Sequence, residues 1–133
     1  MKIFDRICRV ALGLLLLFPI LGVVGVFPAP TADLYSNPRA WQFIGLLTQS
    51  KYIMYIMAFV FLVSIILVIK NRMALAAALI LPIVVNILGF HMFFDGGLFT
   101  SGAIMADVFG LLTGYFLYKN RGAYIELYNY KTY

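Results

Sequence analysis

Charge is scarce in this chain: ten Lys and Arg, five Asp and Glu and a single His among 133 residues. Charged residues make up 11% of the sequence, against about 25% in soluble domains. Cysteine is scarcer still. Cys8 stands alone, which excludes an intrachain disulfide, a dithiol redox centre and a thiolate-rich zinc site. One His cannot supply bis-His haem ligation within the chain, and without a second His or a nearby Cys a transition-metal site is not expected. There is no Gly-rich phosphate loop and no convincing internal repeat. A transporter built on inverted repeats is therefore disfavoured.

What is abundant is apolar and aromatic. Hydrophobic residues reach 64%, mean hydropathy is +0.99, and there are 12 Phe, 9 Tyr and 1 Trp. A soluble core of this size has no room for so much apolar surface, which leaves lipid as its solvent. Four long apolar runs joined by short connections predict one domain over 1–133. It is an all-α integral membrane protein, a bundle of four transmembrane helices. The spans are expected at about 7–27, 52–69, 73–94 and 102–118; the first is long enough to cross a hydrocarbon core of about 30 Å at about 1.5 Å per residue. The first follows Lys2, Arg6 and Arg9 and exceeds a signal-peptide apolar region of roughly 7–15 residues, so it reads as a signal anchor.

Between spans one and two, Pro28 to Ser50 is rich in turn formers. A short helix over about 39–50, starting near Pro38, is expected to lie in the outer interface; a helical extension of span two is the other reading. Lys70-Asn71-Arg72 predicts a tight turn between spans two and three, and Pro82 falls inside span three. The tail from Gly122 is expected along the surface.

Basic residues set the expected orientation. Eight of them (Lys2, Arg6, Arg9, Lys70, Arg72, Lys119, Arg121, Lys131) fall on the side of the termini, and two (Arg39, Lys51) on the other. Both termini are thus expected in the cytoplasm. The positive balance matches span ends and calls for no nucleic-acid partner.

The polar exceptions within the apolar runs are the candidate site. An ionisable residue inside a span is costly and usually faces a partner, a cavity or a ligand. His91 and Asp95 are four apart and share a helix face. Asp107, in span four, is expected at the same level, with Arg39, Trp41 and Gln42 covering the cluster from the loop. Asn86 lies about 140° around the helix from His91 and is expected to hydrogen-bond a neighbouring helix backbone. The cluster reads first as an interhelical polar contact. The alternative is a site for a polar head such as a quinone ring, with His91 as donor. Ala106, Gly110 and Gly114 form a small-residue stripe suited to close helix packing, within the bundle or against another subunit. Gly13, Gly22 and Gly25 give span one a similar smooth surface, and Cys8 reads as inert packing.

The order of these features resembles the DoxX-like family of small bacterial membrane proteins. The resemblance rests on Arg9-Val-Ala-Leu-Gly13, on Ala78 to Asp95 with Pro82, Asn86, His91 and Asp95, and on Tyr118-Lys-Asn-Arg-Gly-Ala-Tyr124. It implies a four-helix protein of the bacterial inner membrane, in a family with members associated with thiosulfate:quinone oxidoreductase or membrane redox assemblies. Relatives often carry an acid in span two and a Lys late in span one. Here those places hold Met57-Ala58-Phe59-Val60 and Gly22-Val-Val-Gly25. The resemblance thus implies a reduced, structural member: a small non-catalytic subunit of a larger respiratory or redox complex. No cofactor of its own is expected, with quinone or lipid at the bundle surface as the candidate ligand. A quinone-binding subunit using His91 is the first alternative, and a small transporter or assembly factor the second.

Overall fold

The computed structural model describes residues 2–130. Met1 and residues 131–133, including Lys131 from the orientation count, lie outside them. The described residues are mostly helical, without a strand. The order is α1 (Lys2–Val23), α2 (Pro38–Ser50), α3 (Tyr52–Ile69), α4 (Met73–Phe93), α5 (Ile104–Lys119) and α6 (Arg121–Asn129), with 3-10 turns at Ala32–Leu34 and Ser101–Ala103. Four helices, α1, α3, α4 and α5 with its leading 3-10 turn, are long and apolar enough to cross a bilayer. The chain is therefore a multi-pass membrane protein.

Each span buries one narrow stripe. On α1 it is Cys8, Leu12 and Leu16; on α3, Phe61, Ser64 and Val68. On α4 it is Met73, Ala76, Ala77, Ile80 and Val84, followed by His91; on α5, Ala106, Phe109, Thr113 and Phe116. The spacing of three and four is that of one helix face. The remaining faces leave Leu14, Phe59, Leu75, Val85 and Leu111 exposed, an apolar exterior of the kind lipid covers. The buried hydroxyls of Ser64 and Thr113 donate to the carbonyls of Val60 and Phe109, each at 2.8 Å. They are satisfied within their own helices.

The spans form a ring in the order α1, α3, α4, α5, and α5 returns to α1. The return is polar. Asp5 of α1 accepts the Tyr115 hydroxyl at 2.5 Å on one oxygen and pairs with Lys119 on the other. The start of α1 and the end of α5 therefore sit together, at the same end of the bundle. At that end the Tyr124 hydroxyl of α6 donates to the Ala74 carbonyl at 2.7 Å, tethering the tail to α4.

Helix ends differ from the expected boundaries where local chemistry overrides hydropathy. α1 begins at Lys2, because Lys2, Asp5 and Arg6 continue the helix below its apolar part. It stops at Val23 rather than Phe27. Gly25, at φ 79°, takes the left-handed position, and the Gly25 and Val26 amides donate back to Gly22 and Leu21. This paired closure is a Schellman cap. Gly25 thus ends the helix instead of smoothing its surface. Asn71, at φ 60°, repeats the device after α3: its amide and that of Arg72 donate to Val68 and Leu67. α2 starts on Pro38 with Asn37 as its cap, whose side chain accepts the Arg39 amide at 2.9 Å. Lys51, at φ 56°, separates α2 from α3, so α2 is a helix of its own and not an extension of the next span.

Candidate functional site

The polar site lies at the end of the bundle opposite the start of α1, where α4 gives way to the turn leading to α5. Gly96 and Gly97, with φ of 89° and 113°, allow that turn, and the Gly97 amide donates to the His91 carbonyl at 2.9 Å. Asp95 is completely buried and His91 is 9% exposed. The imidazole Nδ1 and Asp95 Oδ2 are 2.8 Å apart. The other carboxylate oxygen, Oδ1, accepts the backbone N–H of Ser36 at 2.7 Å. With Asp95 as a carboxylate, which only accepts, Nδ1 is the donor of the pair. Nε2 is then left to accept when the ring is neutral and to donate when it is charged. It bonds no protein atom among the described residues.

A third segment closes the site. A Cβ on Gly102 would come within 2.9 Å of the Leu34 carbonyl oxygen and 3.3 Å of Asp95 Oδ2. The backbone before α5 therefore lies directly against both the connection before α2 and the carboxylate. Asp95 is the point where three segments meet: the end of α4, residues 34–36 and the start of α5.

Around the imidazole lies a group of aromatic rings. Phe90 is edge-on to His91 at 5.2 Å and edge-on to Tyr35 at 6.1 Å. Phe43 of α2 stacks on Phe90 and Phe94 at 5.8 and 5.2 Å. Burial, and then the negative charge of Asp95, push the Tyr35 phenol above its ordinary value.

The expected cluster is thus assembled in part. His91 and Asp95 are paired. Asp107 is half-buried and makes no hydrogen bond among the described residues, so it does not join them. Arg39 is exposed and engages the loop only through its backbone. Trp41 reaches the site indirectly, 5.9 Å from the Tyr35 ring, while Gln42 lines a shallow surface groove with Gly45 and Leu46. The residues that cover the pair are Tyr35 and Ser36. Asn86 does not reach a neighbouring helix. It is exposed, and its amide donates to the Pro82 carbonyl of its own helix at 2.8 Å, because its position faces outward from the buried stripe of α4.

The small-residue stripe also divides. Ala106 is buried, and a Cβ on Gly110 would lie 2.9 Å from Leu88 Cδ1, so α5 approaches α4 closely there. Gly114 faces open space, as do Gly13 and Gly22. No group of three or more His, Cys, Asp or Glu side chains assembles into a metal-binding set among the described residues.

No family model, curated protein or solved structure matches this chain.

Proposed function

We propose that this protein is a small, non-catalytic integral subunit of a larger membrane complex, in the manner of the DoxX-like proteins it resembles and in a respiratory or redox setting. The observation that carries this reading is the use of Asp95. Both of its oxygens are committed to holding the fold, one to the His91 imidazole and one to the Ser36 amide. A pair used this way is a clasp that fixes the loop end of the bundle. The apolar exterior would then meet lipid and a larger partner.

The proposed setting is the bacterial inner membrane with both termini in the cytoplasm. It is supported by Lys2, Arg6, Arg9, Lys70, Arg72, Lys119 and Arg121 at the end of the bundle where α1 starts, against Arg39 and Lys51 at the other. Purification of the full chain in mild detergent, with mass spectrometry of co-eluting proteins, tests the proposal. A stoichiometric membrane redox enzyme is the expected result. An isolated chain that itself turns over a quinone would overturn it.

A second reading has one specific observation in its favour. The imidazole is oriented through Nδ1, its Nε2 is unpaired, and Tyr35, Phe43, Phe90 and Phe94 provide flat apolar surface beside it. In this reading a quinone ring rests on the aromatics and its oxygen exchanges a hydrogen bond with Nε2, while Asp95 holds the other nitrogen. The two readings separate on His91→Gln. The clasp survives that change, whereas a proton-exchanging role does not.

A further inference from the structure

Towards the start of α1 and the end of α3, these two helices leave a groove of about 380 Å³ on their outer side. Gly13, Leu14 and Leu17 of α1 and Ile65 and Ile69 of α3 form its apolar walls, and Arg9 stands at one end. Gly13 opens it, since a Cβ there would meet nothing within 4 Å. From Arg9 to Leu17 the groove follows about 12 Å of helix axis, at about 1.5 Å per residue.

Arg9 makes no hydrogen bond or salt bridge among the described residues, and the Asp5 carboxylate acts on it only through space. Its Nε is buried without a hydrogen bond, alone in this among the described side-chain nitrogens and oxygens. The acid one turn before it, Asp5, is fully engaged by Tyr115 and Lys119. Glu126 of α6, the other acid at this end, forms no ion pair among the described residues. A guanidinium has only donors; Nε is covered by protein, and the two terminal nitrogens, which are not buried, are the donors that an acceptor from outside the chain can reach. Lys70 and Arg72 lie within three residues after Ile69 and make the surroundings positive.

We propose that this groove binds one anionic phospholipid. Its phosphate accepts hydrogen bonds from the Arg9 guanidinium, and one acyl chain lies between α1 and α3 over Gly13. Phosphate suits the planar fork of Arg. The apolar walls running directly from the cation call for a ligand that joins an anion to a hydrocarbon chain.

Native mass spectrometry of the full chain in mild detergent tests the site. The probes are phosphatidylglycerol and phosphatidylcholine with identical acyl chains. One equivalent of phosphatidylglycerol should be retained under conditions that strip phosphatidylcholine, with a preference of about fivefold or more, the scale of one basic residue at an anionic surface. Arg9→Gln should abolish that preference. Gly13→Leu, which fills the groove, should reduce retention of both lipids, with helix content unchanged by circular dichroism. Equal retention of the two lipids by the unaltered protein would overturn the proposal whatever the variants do. An undiminished preference in Arg9→Gln would also overturn it, as would displacement of the lipid by inorganic phosphate alone.

Discussion

Asp95 accepts the backbone amide of Ser36 at 2.7 Å, joining positions 59 residues apart in the chain. The bond fixes the connection before α2 to the end of α4 through a carboxylate without solvent exposure. The loop end of the bundle depends on this acceptor as much as on apolar contact.

Removing the carboxylate should therefore be costly. Asp95→Ala leaves the imidazole Nδ1 and the Ser36 amide without their acceptor. The expected loss is about 1–3 kcal/mol for each group left unsatisfied. Asp95→Asn should cost less, because its carbonyl oxygen can keep Ser36 while its amide donates to Nδ1 of the other imidazole tautomer. Thermal unfolding in detergent should rank the native chain first, Asn second and Ala last. Equal stabilities for Asn and Ala would refute the clasp.

At His91 the amide of Gln retains a donor for Asp95 and should hold stability within about 1 kcal/mol, while Leu removes it and should cost about 1–3 kcal/mol. Quinone-linked turnover of an assembled complex supplies an independent measurement. Activity lost in His91→Gln with assembly intact would transfer support to the quinone reading.

Glycine positions should separate by what surrounds them. Gly110→Leu drives a side chain into Leu88 and should cost about 1–3 kcal/mol, whereas Gly114→Leu should be near neutral. Gly102→Ala should be worse than Gly110→Ala, since its Cβ would meet the Leu34 carbonyl and Asp95 rather than the mobile tip of a leucine. Identical melting temperatures for Gly110→Leu and Gly114→Leu would contradict this ordering.

Reporter fusions address orientation. One placed after Arg72 should read cytoplasm, and one after Gly97 the exterior. The reverse pattern would remove the proposed topology.

Hydropathy marked the four spans because each is a long apolar run, but it did not mark where the helices end. Gly25 and Asn71 end theirs through left-handed backbone, a property of single residues that an average over a window conceals. The His91–Asp95 pair was legible because four-residue spacing places two side chains on one face. Ser36 was not, since it contributes only a backbone N–H, which every residue other than proline carries. The stripe of Ala106, Gly110 and Gly114 was half legible. Positions four apart advance about 40° around a helix, so by Gly114 the stripe has turned out of the contact that holds Gly110. For Asn86, polarity within a span suggested a neighbouring helix, but the carbonyl of Pro82 one turn away was the nearer acceptor.

The contact between Asp5 and Tyr115 spans 110 residues and has a bearing on synthesis. The residues that engage the acid of the first span are translated only with the last span. Until α5 arrives, the ring of helices stays open on one side and Asp5 has neither Tyr115 nor Lys119. A chain cut short before the last span would carry that acid unengaged, a chemical mark by which an incomplete copy differs from a finished one.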